Sequence, residues 1–475
     1  MLATLLLLPL IAAALTLSRI PDRARLQIFR AAAFGHLLLA VALWIRPGGA
    51  LFGGYVSLDP IGLLVLSPTS ALFAGVSVYL GGYLARAERR SHRIFLTALL
   101  VLEGALTLAC ASQHLGLFWV ALETATLVSA PLIYFHHTGR ALEATWKYLI
   151  VGSVGIALAL LGTVFLAIAA TEPSGGSTLW IHELTTAGAR LSKPWLHAAF
   201  VLLLMGYGTK MGLAPMHAWK PDAYGEAPPP IAGLLAGTAT NCAFLGVLRA
   251  TQICAHAGEA KFASSLLVLL GLVSLAVAAV FIVGQADYRR LLAYASVEQM
   301  GVLVFGLGFG VLGAQGSLLH ALNNALNKGI LFLAAGNLLQ LYGTSAISSV
   351  GGALRRAPAT GALLVVGLFA ALGVPPFGLF ISEFMILRAA LAGGASAWPA
   401  ALYLVLLAVI FLGMCVAILP MAQGESAAAG ERVPEPASTV LPPVAFAAAA
   451  LLLGVYVPPP MARLIESAAR QMGGG

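Results

Sequence analysis

Trp195-Leu-His-Ala-Ala-Phe-Val-Leu-Leu-Leu-Met-Gly-Tyr-Gly-Thr-Lys210-Met-Gly-Leu-Ala-Pro-Met-His-Ala218 is apolar and long enough to cross a bilayer. It nevertheless carries a lysine, followed by a glycine and a proline that end a helix. A helix interrupted at Gly212 and Pro215 exposes amides and carbonyls, tolerable inside a membrane only where protein or water satisfies them. A second run, 360–390, is interrupted in the same way at Gly373, Pro375, Pro376 and Gly378. This pair of broken runs decides the reading of everything around it.

Composition sets the frame. Of 475 residues 60% are apolar and 9% charged, too few charges to coat a soluble protein of this size. A soluble domain is excluded, and the apolar runs predict an all-α polytopic membrane protein. Candidate spans lie near 2–18, 28–45, 60–84, 94–112, 114–135, 145–170, 195–218, 229–252, 263–284, 291–313, 316–342, 360–390, 399–421 and 440–457. That makes about fourteen transmembrane helices. The net charge of +8 is a topology signal, not a nucleic-acid signal, because the basic residues sit in short loops.

With the first run read as a retained helix, one set of loops holds Arg19, Arg23, Arg25, Arg30, Arg86, Arg89, Arg90, Arg93, Arg140, Lys220, Arg289, Arg290, Arg355, Arg356 and Arg432. The opposite loops hold only about eight basic residues. Both termini are therefore expected on the outer face of a bacterial cytoplasmic (inner) membrane. The longest outer loop, about 171–194, is too short to be a domain. Cys110, Cys242, Cys254 and Cys415 show no CxxC spacing, so neither a disulfide framework nor a haem, zinc or iron-sulfur site is expected. His136 and His137 lack a third ligand and make a poor metal site.

The two breaks fall five spans apart. Five is odd, so a second five-helix unit would be inverted relative to the first, and paired broken helices in inverted repeats point to an ion path. The expected organisation is 1–93, three N-terminal helices; 94–252, a first repeat; 263–421, an inverted second repeat; and 440–475, a final transmembrane helix and short tail.

Ionisable side chains at mid-membrane are costly and need a reason. Glu123 has no cation nearby on its own helix, so its partner must come from another. A Glu123–Lys210 pair would lower the cost of both charges, and its loosening would free the lysine to lose its proton. The plain alternative is a static pair that locks two helices. His320, Asn324 and Lys328 recur at i, i+4 and i+8 on one helix face, where waters held by Asn323, Asn324 and Asn327 would pass a proton on. Interhelical hydrogen bonding is the alternative there. Glu383 follows the second break, roughly in the place that Lys210 takes at the first, and suits the acidic end of a path.

Accessory candidates are Glu103, His217, Asn241, Glu298 and Asn324. Glu298 reads equally as gate or salt-bridge partner, and Glu103 as part of the axis or as a partner for a neighbouring subunit. Lys147 reads as snorkelling. His217, Trp219, Asp222 and Glu226 read as a capped polar loop or as a cytoplasmic proton entrance.

The stretch Lys210-Met-Gly-Leu-Ala-Pro-Met-His-Ala-Trp-Lys-Pro-Asp-Ala-Tyr-Gly-Glu-Ala-Pro-Pro-Pro230 resembles the signature of the antiporter-like membrane subunits. This family is shared by respiratory complex I, Mrp-type sodium/proton antiporters and membrane-bound nickel-iron hydrogenases. Asp287-Tyr-Arg-Arg-Leu-Leu-Ala-Tyr-Ala-Ser-Val-Glu-Gln-Met-Gly301 and His320-Ala-Leu-Asn-Asn-Ala-Leu-Asn-Lys-Gly-Ile-Leu-Phe-Leu-Ala-Ala-Gly336 extend the resemblance over most of 95–390. Ala-Leu-Glu-Thr-Ala-Thr-Leu (121–127) and Thr-Asn-Cys-Ala-Phe-Leu-Gly-Val-Leu-Arg (240–249) look most like the hydrogenase-4 component F group.

The resemblance implies fourteen helices, two inverted repeats and a hydrated axis. It assigns Glu123 to the fifth-helix glutamate, Lys210 to the broken-helix lysine, Lys328 to the central lysine and Glu383 to the charge of the twelfth helix. The chain departs at the eighth helix, where many members carry Lys or His and this one has Leu235, Ala236, Gly237 and Thr238. A link there falls to water or Asn241, or is missing. It also ends without the long lateral helix of some relatives.

No GxGxxG, Walker loop or paired-cysteine motif is present, so the expectation is a non-redox, ion-translocating subunit with no cofactor or catalytic centre of its own. Its expected partners are other membrane subunits and soluble iron-sulfur, hydrogenase-like or dehydrogenase-like subunits. Rival readings are a self-contained cation/proton antiporter, and a non-conducting scaffold anchoring a soluble partner.

Overall fold

Alanine and leucine favour helix, and the apolar runs fold accordingly. The computed structural model describes residues 1–86, 92–171, 177–392, 397–424 and 431–473. Arg89, Arg90 and the Gly175-Gly176 part of the outer loop lie outside the described residues.

In chain order the helices are Leu2–Leu17 (α1), Asp22–Ile45 (α2), Pro60–Arg86 (α3), Arg93–Ala111 (α4), Leu115–Ile133 (α5), Gly139–Ala169 (α6), Ile181–Ala187 (α7), Lys193–Met211 (α8), Trp219–Glu226 (α9) and Pro229–Leu234 (α10). Then follow Thr240–His256 (α11), Ala260–Ile282 (α12), Tyr288–Leu307 (α13), Gly310–Tyr342 (α14), Ala353–Arg356 (α15), Pro358–Ala371 (α16), Gly378–Ala392 (α17), Trp398–Gln423 (α18), Ala437–Val455 (α19) and Pro459–Arg470 (α20). A π turn, Leu235–Ala239, joins α10 to α11. Among the described residues, ten segments are long and apolar enough to cross a membrane.

Large apolar side chains face outward, while a set of polar ones is buried within an otherwise apolar core. On α18, Leu412 is 63% exposed and Val416 75%, whereas His320, Asn324 and Lys328 of α14 are buried. That inversion suits lipid, not water, as the surrounding solvent. Helix α14 is the hub, packed by α3, α10, α13, α16, α17, α19 and α20. Small residues allow the close approaches: a Cβ on Gly206 of α8 would lie 2.5 Å from the Ala159 amide of α6.

Both breaks close with the same capping geometry. At the first, Gly212 is left-handed (φ 77°), its N–H donates to Thr209 O, and Leu213 N–H donates back to Gly208 O. At the second, Gly373 is left-handed (φ 59°), its N–H donates to Ala370 O, and Val374 N–H donates back to Phe369 O. A β-carbon is disfavoured in this conformation, so glycine holds both positions.

The short tail contains α20, a helix packed on α3 and α14 with Ile465, Ala468 and Ala469 buried. A larger difference concerns Lys220. It is not a loop residue, because α9 turns back beneath the end of α8 and carries its side chain into the interior.

Candidate functional site

Helix α5 presents Glu123, and the last turn of α8 presents Lys210, across a helix interface. Nζ of Lys210 donates to a carboxylate oxygen of Glu123 at 3.3 Å and to the hydroxyl of Thr126. The other Glu123 oxygen accepts from Ser153 at 3.4 Å. Gly152 of α6 leaves room for the ammonium, since a Cβ there would stand 3.1 Å from Nζ. The lysine side chain is 8% exposed and the glutamate 19%, so the pair is nearly dry on one side only. Beside it is a cavity of about 30 Å³, bordered by Thr126, Tyr148, Lys210, Trp219, Tyr224 and Thr240. That volume holds one or two waters.

The second half carries its own buried charges. Lys328 of α14 is 1% exposed and donates to Ala295 O of α13 at 3.3 Å. Glu298, one turn further along α13, is 2% exposed, stands within electrostatic reach of Lys328, and accepts from Gln299 Nε2 at 2.7 Å. Gln299 also donates to Ala371 O, the last residue of α16 before the break. The Asn327 amide, turned to suit its neighbours, donates to Gly367 O and accepts from the Ala371 N–H.

Further along α14, His320 Nδ1 meets the Ser382 hydroxyl of α17 at 3.0 Å. Asn323 packs where a Cβ on Gly378 would stand 2.1 Å from its Oδ1. The carboxylate of Glu383, partly exposed, covers Gly373 at the second break. His320 Nε2 and both polar atoms of the Asn324 amide are buried without a protein partner.

The structure thus gathers Glu123 with Lys210, and His320, Asn324, Lys328, Glu298 and Glu383 around α14. Asn241 follows the π turn and donates to Ala321 O of α14 at 3.0 Å, tying the eighth span to the second cluster. Glu103 stands apart. It is fully buried, with His36 of α2 3.5 Å away, and His36 in turn contacts Thr107 at 2.9 Å. Among the described residues neither of its carboxylate oxygens has a hydrogen-bond partner.

His217 stands at the break with Phe281 and Tyr294 near its ring. Asp222 binds Lys147 at 2.9 Å and Arg290 at 3.2 Å, and Lys147 also binds Glu143 at 2.7 Å. These residues, with Arg140, Glu226 and Asp287, line a cleft of about 320 Å³, and Lys147 is an ion-pair partner in it, not only a snorkelling side chain.

Sequence reasoning missed Lys220. Its Nζ donates to Met211 O at 2.6 Å and Ser296 O at 3.2 Å, and its stem lies across Gly212. Relative to the breaks, Glu383 therefore matches Lys220, since each covers the left-handed glycine from the far side. Lys210, two residues before Gly212, matches Ala371, two before Gly373. No local signal marked it, because Asp222 and Glu226 follow within six residues and make the stretch look polar.

Comparison with known proteins adds the following. Residues 112–411 match the family described as NADH:quinone oxidoreductase/Mrp antiporter, TM. A hydrogenase-4 component F homolog of Methylacidiphilum infernorum is 38% identical over 316 residues, covering 66% of this chain and 65% of that protein's length. An NADH-quinone oxidoreductase subunit N of Desulforudis audaxviator is 31% identical over 349 residues, covering 73% and 68%.

A chain of the membrane-bound sulfane sulfur reductase, an archaeal respiratory membrane complex, shares the fold with a TM-score of 0.88 at 23% identity, covering 99% and 97% of the two chains. A chain of respiratory complex I from Thermus thermophilus with bound NADH superposes with a TM-score of 0.83 at 25% identity, covering both chains completely.

Proposed function

The chain belongs to the NADH:quinone oxidoreductase/Mrp antiporter transmembrane family, and we propose that it is a proton-translocating subunit of a redox-driven membrane complex of the hydrogenase-4, formate hydrogenlyase or complex I type. The observation that carries this reading is the run of buried titratable side chains, with the Glu123–Lys210 pair in one half and Lys328 with Glu298 in the other.

In this reading the chain crosses the membrane fourteen times, so both termini share a face, and the basic loops favour the outer face of a bacterial cytoplasmic membrane. Residues 94–252 and 263–421 form inverted repeats, preceded by three helices in 1–93 and followed by a last crossing within 440–475. What supports the repeats is the shared capping at Gly212 and Gly373 and the matching packing of α4 on α5 and α6 on α8, against α12 on α13 and α14 on α16 and α17. Glu123 on α5 and Glu298 on α13 then hold corresponding helices.

Protons enter from the cytoplasmic side near Lys210, reach Lys328, and leave past His320 and Glu383. Loosening the Glu123–Lys210 contact releases the lysine proton, and charge movement in one cluster biases the next. Electron transfer belongs to other chains: membrane neighbours and soluble iron-sulfur, hydrogenase-like or dehydrogenase-like subunits.

The test is purification in mild detergent with identification of co-purifying proteins, followed by proton uptake in inside-out vesicles. Recovery of redox subunits and loss of uptake in Lys328→Met, with assembly intact, is expected. Wild-type uptake in Lys328→Met removes the central role from this lysine, and ion exchange by the chain alone replaces the pump with an exchanger.

A further inference from the structure

The stretch of the eighth span that packs on α14 of the second half, Leu234 to Ala239 with its π turn, carries no ionisable side chain. Yet the clusters it separates are bridged. We infer that Lys220 is a proton-carrying residue that connects Lys210 to Lys328. The inference rests on the proton-translocating reading above.

Helix α9 brings Lys220 under the broken end of α8, where the side chain is fully buried. Its ammonium donates to Met211 O, the residue after Lys210, and to Ser296 O. Lys328 donates to the neighbouring carbonyl, Ala295 O. Consecutive carbonyls of one turn of α13 therefore receive one lysine from each half. On the other side, the ring of Tyr224 has its centroid 5.8 Å from Lys220 Nζ. Tyr224 also borders the cavity next to Lys210, and its buried hydroxyl has no protein partner. Ser296 Oγ is in the same condition on the far side. A hydroxyl thus lies near the amine in each direction, and the cavity by Lys210 has room for water, a setting suited to pass a proton along.

A cap for the carbonyls of α8 does not require a lysine. A neutral amide donates equally well and avoids the desolvation of a charge, which costs several kcal/mol in a dry site. Among the described residues no carboxylate stands within ion-pair distance of Nζ, so no counter-charge holds the proton in place. The step balances without any redox change. Neutral Lys220 takes a proton that Lys210 gives up through the cavity and Tyr224, and then as ammonium hands one to neutral Lys328. Only N–H and O–H bonds break and form, and Lys210 is recharged from the cytoplasmic side.

The experiment compares Lys220→Arg, Lys220→Gln and Lys328→Met in the intact complex, reading assembly, redox turnover and proton uptake in parallel. Arginine keeps charge and donors but does not release its proton; glutamine keeps a neutral donor. Both Lys220 variants are expected to assemble and turn over while uptake falls at least about tenfold. Wild-type uptake in either variant overturns the inference, and so does failure of both to assemble, which assigns Lys220 to the fold. Lys328→Met separates the two levels: if it stops uptake while Lys220 variants pump, only the link is lost; if it pumps, the reading beneath falls as well.

Discussion

Removing one partner of the Glu123–Lys210 pair is a measurable perturbation. Breaking a fully buried ion pair costs about 3–5 kcal/mol, because the survivor is left charged and dry. Here Lys210 is 8% exposed and Glu123 19%, so the glutamate keeps some solvent. Glu123→Gln strands the ammonium against Thr126 and is expected to cost about 2–3 kcal/mol after that discount. Lys210→Met leaves a carboxylate with Ser153 and partial hydration, for about 1–2 kcal/mol. The double variant removes both charges and is expected near the milder single change, which gives a coupling of about 2–3 kcal/mol. The assay is reversible unfolding of the purified protein in mixed micelles of increasing SDS fraction, run on all four proteins. Additivity within about 0.5 kcal/mol would show that the two side chains do not sense each other, and would refute the pair as drawn.

Three other outcomes follow from named contacts. Asp59→Asn unpairs Arg249, which is 2% exposed and held bidentately at 2.6 and 2.7 Å; stability in the same assay should fall by about 2–4 kcal/mol with proton uptake per turnover unchanged. Gly378→Ala puts a Cβ 2.1 Å from Asn323 Oδ1 and should cost about 1–3 kcal/mol, with hydrogen exchange rising first at the start of α17. At the α11–α12 loop, hydrogen bonds from Lys193 and then His197 hold the Glu259 carboxyl below its usual range. A depressed folded value stabilises at pH above the unfolded value of about 4.3 and is lost as pH falls through the folded one. Acid should therefore loosen this clasp, read as faster exchange at the start of α8, and Glu259→Gln should abolish that dependence.

Local sequence revealed whatever local forces decide. Apolar runs became helices, and a left-handed glycine followed by a proline stopped α8 and α16 where the residue types require it. The pairing of Glu123 with Lys210 was legible too, because a charge at mid-membrane must find a partner and Lys210 is the lysine beside the nearer break. Other facts are set by chain path. Lys220 lies in a polar-looking stretch, and only the return of α9 beneath α8 makes it interior. His36 and Glu103 are 67 residues apart, on helices whose own periodicity gives no hint that they meet. Glu298 read equally as a gate or a salt-bridge partner, and only the path of α13 brings it within electrostatic reach of Lys328.

The axis must hold water for an energetic reason. Asn241 Oδ1, Ser296 Oγ, Gln299 Oε1, His320 Nε2, Asn323 Oδ1 and both polar atoms of Asn324 are buried without a protein partner. A buried polar atom left unsatisfied costs about 1–3 kcal/mol, and a fold has only about 5–15 kcal/mol of net stability to spend. So many orphans on and around α13 and α14 call for a chain of waters, and the cavity beside Lys210 has room for one or two. Such a chain relaxes the geometry a proton path needs. Lys210, Lys220 and Lys328 need not touch; each needs only to face the same water. On this view the uncharged π turn of the eighth span interrupts nothing, since the charge that the sequence lacks there stands on the neighbouring short helix α9.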